Sequence, residues 1–503
     1  MTWPHKSTRH KTKAASEKAA GKLAAAVLLA AFAWPWSIAV SAQTDADVAT
    51  TIAASLSQAQ AQDGRYISWR EHIIDGPELG AADLSGSDGL AMADLDRDGY
   101  LDVVSVHESD TEYDGQPIGH IRIAWGSADP HDWQLTTLAA GTQAAAAEDV
   151  SIADANGDGW LDVVVAAELA HLIYLQNPGF AARTTPWLRT IPPITENRGS
   201  YIRVFFADFN GDGRPEVVAP NKGAQNTTPD QQQLLNISLY HLPANPLNGL
   251  MWREQVLSQV KVPINSIPVD LDGDGDLDVV GGSRGEARIF WLENLGAFHF
   301  VEHAIDADGQ PDDTALTGFH MEFADLNADQ RTDIIATAWP GYALLLLAPE
   351  SPDQPWQTSV IGGLQPDQLI SLRLADIDDD GDLDLFTGSY SRGARDQDDP
   401  EASAASPLGR ISWFANPGAG QVRQAWRRHD ISRRKRGMYD QWRALDLDRD
   451  GDLDMLGTRG NSEPYDGVIW LEQVRTQAPQ RAFSGARAID SAQMPLPPVE
   501  VTP

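Results

Sequence analysis

The chain has 503 residues, 72 of them acidic against 38 basic, giving a net charge of −34, and it contains no cysteine. That balance argues against nucleic acid, whose phosphates need clustered Lys and Arg, while hydrophobic residues at 42% suffice for a folded core. Without cysteine there is no disulfide framework, thiolate metal site, Cys nucleophile or lipid-modified N-terminal Cys.

Residues 1–42 read as an export signal. Lys6, Arg9, Lys11, Lys13, Lys18 and Lys22 form a basic segment, Leu23 to Trp34 an apolar one, and Val40-Ser41-Ala42 a small-residue cleavage pattern. The apolar stretch falls short of the roughly 20 residues that span a bilayer. A secreted protein, periplasmic or extracellular, with no membrane span after cleavage is expected. Residues 43–64 read as an Ala/Gln/Asp linker.

A Trp-opened strand, Trp69 to Asp75, follows, and then one phrase recurs seven times. It reads ADLDRDGYLDVV from Ala93, ADANGDGWLDVV from Ala153, ADFNGDGRPEVV from Ala207 and VDLDGDGDLDVV from Val269. It returns as ADLNADQRTDII from Ala324, ADIDDDGDLDLF from Ala375 and LDLDRDGDLDML from Leu445. Leading aspartates lie 51 to 70 residues apart, a period that suits one four-stranded sheet per repeat and is long for two-helix repeats. Each phrase runs into a β-branched, apolar strand, then a second strand ending in a turn (Ile289 to Leu292 before Glu293-Asn294, for example), then a third opened by Trp133, Trp187, Trp252, Phe298, Trp356 or Trp426. These Trp residues are read as packing between blades.

The last blade, ending with Gly467 to Val474, lacks its Trp-opened outer strand, which the N-terminal strand can supply. The expected fold is therefore all-β: a seven-bladed β-propeller over residues 65–476, with four-stranded blades, closed by the N-terminal strand joining the last blade. Residues 477–503 read as a disordered Pro-rich tail, and Gly393 to Pro407 as a polar insertion in blade six.

The spacing D-x-[DN]-x-D-G-x-x-[DE] sets side-chain oxygens at loop positions 1, 3, 5 and 9 and a backbone carbonyl at position 7. Calcium wants six to eight oxygens, and Gly at position 6 permits the turn that wraps them around it. The seven candidate sites, each with its position-7 carbonyl, are Asp94, Asp96, Asp98, Tyr100 and Asp102; Asp154, Asn156, Asp158, Trp160 and Asp162; Asp208, Asn210, Asp212, Arg214 and Glu216; Asp270, Asp272, Asp274, Asp276 and Asp278; Asp325, Asn327, Asp329, Arg331 and Asp333; Asp376, Asp378, Asp380, Asp382 and Asp384; and Asp446, Asp448, Asp450, Asp452 and Asp454. Up to seven structural Ca²⁺ are expected, coupled to folding. An EF-hand is excluded, because position 12 carries Ser105, Val165 and their counterparts rather than Glu. The third site (Glu216 after Pro215) and the fifth (Gln330 in place of Gly) depart from the pattern and are expected to be weaker.

From Trp69 to Val474 these phrases resemble FG-GAP/VCBS repeats, the calcium-bearing blades of integrin-α-like propellers. The resemblance implies that each acidic loop links the first and second strands of a blade, with calcium on one face of the ring. The family includes adhesion and binding proteins, polysaccharide lyases and sugar dehydratases, so fold does not settle function.

With calcium on one face, the long loops His107 to His120, Asn221 to Gln233 and Tyr390 to Leu408 fall on the other, where binding usually resides. Lys222, Arg284, Arg392 and Arg459 follow the second strands, Arg198 lies in one blade crossing, and Arg433, Arg434, Lys435 and Arg436 in another. Lys222, Arg284, Arg392, Arg436 and Arg459 are the candidate ligand-binding residues, and such a cationic face suits an anionic polysaccharide. His107, Glu108, His320, Tyr201 and Tyr439 are acid–base candidates. No nucleophile elbow, His-metal motif or phosphate loop is present. The expected function is a monomeric carbohydrate- or protein-binding module; the alternative is a lyase or dehydratase on the same ring, which would need His and Tyr converging with Arg near the axis.

Overall fold

The computed structural model describes residues 50–497, apart from 81, 111, 228–232 and 352–353. The expected export signal and the start of the linker lie outside the described residues. Among these there is no α-helix, only 3-10 turns, and no helix long and apolar enough to cross a membrane.

Strand β1 is Tyr66–Asp75. Blade one follows as β2 (Ser87–Ala93), β3 (Asp102–His107), β4 (His120–Trp125) and β5 (Gln134–Ala140). Blade two is β6 (Ala147–Ala153), β7 (Asp162–Ala167), β8 (His171–Gln176) and β9 (Leu188–Thr190). Blade three is β10 (Phe205–Ala207), β11 (Glu216–Pro220), β12 (Leu234–His241) and β13 (Arg253–Lys261). Blade four is β14 (Pro263–Val269), β15 (Asp278–Ser283), β16 (Arg288–Asn294) and β17 (Phe300–Ala304). Blade five is β19 (Ala315–Ala324), β20 (Asp333–Trp339), β21 (Tyr342–Leu347) and β22 (Trp356–Gly363), with β18 (Ala307–Asp308) added at its edge. Blade six is β23 (Gln368–Ala375), β24 (Asp384–Tyr390), β25 (Gly409–Ala415) and β26 (Arg427–Arg434). Blade seven is β27 (Trp442–Leu445), β28 (Asp454–Arg459) and β29 (Gly467–Thr476).

The seventh blade is completed from the other end of the chain. β1 pairs antiparallel with β29, from Tyr66 opposite Thr476 to Asp75 opposite Val468. A short strand, β30 (Phe483–Ser484), then pairs parallel with β1. The all-β, seven-bladed ring expected from the repeats is the observed fold.

Each blade's second strand is buried along its length, β3 (DVVSVH) and β7 (DVVVAA) being typical. Buried on both faces, such strands read as continuous apolar runs rather than alternating ones. The outer-strand Trp residues pack onto the preceding blade: Trp187 with Val104 and Ile123, Trp426 with Ile335 and Leu345, and Trp69 with Phe386 and Trp413. Their indole N–H groups are not wasted. Trp187 donates to Ala182 O at 3.1 Å, Trp252 to Pro246 O at 2.9 Å and Trp426 to Val422 O at 2.9 Å, closing the turn before each outer strand.

Two segments differ from expectation. Residues 50–64 carry buried Ile52, Ala53, Ala59 and Ala61, so the described part of the linker packs on the ring. Residues 477–497, expected to be disordered, also lie against it. Ala482 and Phe483 are buried, and Asp490 pairs with Arg459 through hydrogen bonds of 2.6 and 2.8 Å. Composition signalled disorder, but one apolar pair and one aspartate facing a buried arginine are enough to dock this tail.

Candidate functional site

All seven acidic loops join the first to the second strand of a blade, as the resemblance implied, and so lie on one face. Their local geometry follows from the aspartates. At position 1, Asp94 accepts from the N–H of Asp98 (3.1 Å) and of Gly99 (3.0 Å), and the same pair recurs at Asp208, Asp376 and Asp446. Position 6 is left-handed throughout, with Gly at φ +83° to +98° and Gln330 at +68° in the fifth loop. Position 4 is left-handed too, from Arg97 (φ 62°) to Arg449 (φ 64°), a requirement not anticipated from the spacing.

Position 9 does more than offer a ligand. Asp384 Oδ2 accepts from the N–H of Ile377 (3.0 Å) and Oδ1 from that of Asn416 (2.9 Å), tying the loop to the end of the third strand. Asp278 and Asp333 repeat the clamp. Burial pushes Asp102 and Asp454 up to about 7 and Asp384 to about 8, and a cation in the loop would act in the opposite sense.

Among the described residues, three carboxylates come within 4.8 Å of one another in four loops: Asp94, Asp96 and Asp102; Asp270, Asp272 and Asp278; Asp376, Asp378 and Asp384; and Asp446, Asp448 and Asp450. These clusters could hold a metal. The other three loops have Asn at position 3, which instead donates to the position-5 carboxylate: Asn156 to Asp158 (2.9 Å), Asn210 to Asp212 (3.1 Å) and Asn327 to Asp329 (2.8 Å). The first loop is also met by Arg183, which pairs with Asp96 and, at 2.6 Å, with Asp98.

On the opposite face the long loops meet over the axis. Gln225 Nε2 donates to Glu108 Oε1 (3.1 Å), Asn226 Nδ2 to Tyr113 O (3.4 Å), and the Arg395 guanidinium lies 4.9 Å from the Tyr113 ring centre. Loops of blades one, three and six thus interlock. Below them Arg203 donates to Asp440 (2.9 Å) and contacts His320 Nε2 (3.0 Å). Burial lowers the pKa of His320, with Asp440 opposing. Burial also opposes ionisation of Asp440, but Arg203 and His320 together outweigh it and hold Asp440 below the usual range.

The expected cationic face is not formed. Lys222 is buried and paired with Glu168. Arg459 is held by Asp490 and Ser462, and Arg436 by Asp398 at 2.9 Å. The run at 433–436 lies at the end of β26 and beyond, not in an open loop. Arg433 forms two 2.7 Å hydrogen bonds with Asp367, and Arg434 bonds of 2.9 and 2.8 Å with Glu71. Arg198 pairs with Glu254 at 2.7 Å. Of the five candidates only Arg284, stacked on Phe319 (5.7 Å), and Arg392, stacked on Trp339 (4.7 Å) and hydrogen-bonded to Gln368, are exposed.

The acid–base candidates separate as well. His107 is fully buried between the Ser87 and Ser105 hydroxyls (2.7 and 3.0 Å), and burial pushes its pKa well down. Tyr201 faces Tyr240 in the core with hydroxyls 3.2 Å apart, and Tyr439 accepts from Arg434 at 3.2 Å. His320 and Glu108 alone reach the axial network.

Comparison with known proteins agrees with the loops. Residues 94–165 and 270–336 match the FG-GAP-like repeat family. This chain is a seven-bladed β-propeller that carries FG-GAP-like repeats. No curated protein matches it. Among solved structures, YCF48 from Cyanidioschyzon merolae is 9% identical, over 80% of this chain and 98% of that one, with a TM-score of 0.46. An Agrocybe aegerita lectin described as recognising non-reducing terminal N-acetylglucosamine is 13% identical (82% and 98% covered, TM-score 0.42). BBS1N in complex with ARL6DN is 10% identical (79% and 95% covered, TM-score 0.43). At these scores none carries an argument about ligand or partner.

Sequence reasoning missed most of the acidic lining of this propeller's axis. Asp88 and Glu148 interrupt the inner strands β2 and β6, where apolar or small residues would otherwise sit, and that interruption was the available signal. Both are buried, and burial together with neighbouring carboxylates raises both well above the usual range. Burial likewise pushes Glu108 to about 8, helped by the charge of Glu168.

Proposed function

We propose that this protein is a secreted, calcium-loaded binding module whose loop face holds a carbohydrate or an extracellular protein. The observation that carries this reading is the interlocking of three long loops over the axis, through Gln225, Tyr113 and Arg395. Loops fixed to one another on a rigid ring give a preorganised surface, which lowers the entropic cost of binding. Calcium in the acidic loops is supported by seven copies of one oxygen-donor spacing and by the four carboxylate clusters. Secretion is supported by the basic, apolar and small-residue order of residues 1–42.

An anionic polysaccharide is the poorer fit, because three of the five cations expected to hold it are neutralised within the chain. A lyase or dehydratase is likewise less well supported, since His107, Tyr201 and Tyr439 do not converge with His320. The test is a glycan array and an extracellular-protein panel probed with wild type, Tyr113→Ala and Arg395→Ala in calcium buffer. Binding that both variants weaken, at unchanged unfolding temperature, is expected. Binding that neither alters would place the ligand elsewhere and overturn the reading.

A further inference from the structure

Three of the axial carboxylates have cations to meet them. Glu168 has Lys222, Asp440 has Arg203, and Glu108 has Arg395 at 3.9 Å. Among the described residues Asp88 has none, and Glu148 only shares Arg203 with Asp440. Asp88 is 2% exposed, and its Oδ2 has no hydrogen-bond partner among the described residues. Glu148 is 8% exposed and reaches Arg203 only at 4.0 Å. The two sit side by side on adjacent inner strands. Gly89 brings β2 so near β6 that a Cβ there would lie 2.7 Å from the Glu148 carbonyl oxygen. Two carboxyl groups side by side at this depth resist ionisation unless a further cation meets them.

The outer end of this axial network is open to solvent. Arg284 and Tyr113 are both exposed at the surface. Yet protein surrounds Arg284 closely enough for desolvation to lower its pKa, and the charges of Glu168 and Glu148 act on it. Tyr113 feels Glu108 most strongly, then desolvation. The charge of Glu148 acts on both side chains, so they stand at the outer end of the network to which it belongs.

We propose that the loop face takes, on its axis, a ligand bearing an ammonium group, whose cation sits between Asp88 and Glu148. This rests on the reading that the loop face binds a ligand, and it reverses the charge expected from sequence. An organic cation fits better than a metal ion, because among the described residues every group of three carboxylates within 4.8 Å lies in the acidic loops and none on the axis. An ammonium offers three donors to two acceptor-only carboxylates. It could belong to an amino sugar or to the side chain of a partner protein's lysine.

The experiment is calorimetric titration, in saturating calcium, with glucosamine, glucose and glucuronate, which share a ring and differ in charge, and with lysine methyl ester. Glucosamine or the lysine ester should bind while glucose and glucuronate do not, and Asp88→Asn and Glu148→Gln should each weaken that binding about tenfold or more. Because each variant puts a neutral amide where burial already holds a carboxyl against ionisation, neither should unfold at a lower temperature than wild type without ligand, which separates lost binding from lost fold. Binding of the lysine ester but not glucosamine sustains the ammonium site and turns the module toward protein partners. Binding of glucuronate or glucose in preference overturns the ammonium site while leaving a carbohydrate-binding face. Absence of binding by both amines, or amine binding unchanged in Asp88→Asn, overturns the inference and leaves Asp88 and Glu148 as a pair that shares a proton.

Discussion

Glu71 on the N-terminal strand and Arg434 at the end of blade six form two near-parallel hydrogen bonds of 2.9 and 2.8 Å, both side chains being buried. The pair joins the strand that closes the ring to the neighbouring blade, over 363 residues of sequence. Burial opposes the charge on Glu71, but Arg434 and Arg459 outweigh it and hold its carboxyl below the usual range. Glu71→Gln leaves a buried guanidinium with only Asp490, at 3.3 Å, as its counter-charge. A loss of roughly 3–5 kcal/mol in urea unfolding is expected. A loss near zero would mean that the pair is not needed for closure.

The tail should contribute through Asp490. Burial would raise its pKa, but hydrogen bonds from Arg459 and the charges of Arg434 and Arg459 outweigh burial and depress it. A depressed folded pKa gives stability that is complete above the unfolded value, near ~3.9, and is lost as pH falls toward the folded value. Asp490→Asn should therefore lower the unfolding temperature at neutral pH. The gap from wild type should close on acidification below the ordinary aspartate range.

The ring was legible in sequence because its signals are local and repeated. Seven acidic phrases, the Trp-opened strands and the displaced strand at Trp69 fixed blade number and closure. The ligand face was not, because its charges are cancelled by residues far away in the chain: Arg433 by Asp367, Arg434 by Glu71 and Arg459 by Asp490. No window of sequence holds both members of such pairs. Asp88 and Glu148 were missed because a carboxylate in a strand resembles an edge residue until the inner strands are brought together.

The position-9 clamp separates structure from metal binding. Asp384→Ala removes the acceptors for Ile377 and Asn416, leaving two backbone N–H groups in a buried place. A loss of roughly 2–5 kcal/mol is expected, with Asp384→Asn losing less because one acceptor remains. The effect should persist in chelator. If chelator abolished it, the carboxylate would matter only as a ligand.

Gln330 takes the left-handed conformation that Gly holds in the other six loops, at φ 68°. A side chain there costs roughly 1 kcal/mol relative to Gly. Gln330→Gly should raise stability by about that amount in urea unfolding, whereas Gly381→Gln, at φ 92°, should lower it.

Calcium counted by equilibrium dialysis, with thermal unfolding followed in calcium and in chelator, tests most directly whether the acidic turns hold cations that stabilise the ring. Bound Ca²⁺ is expected, together with a clear fall in unfolding temperature on chelation, since a ligand at a hundred times its Kd stabilises by about 2.7 kcal/mol per site. Asp270→Asn and Asp376→Asn should each lower the count. No bound calcium, with identical unfolding in both buffers, would contradict it.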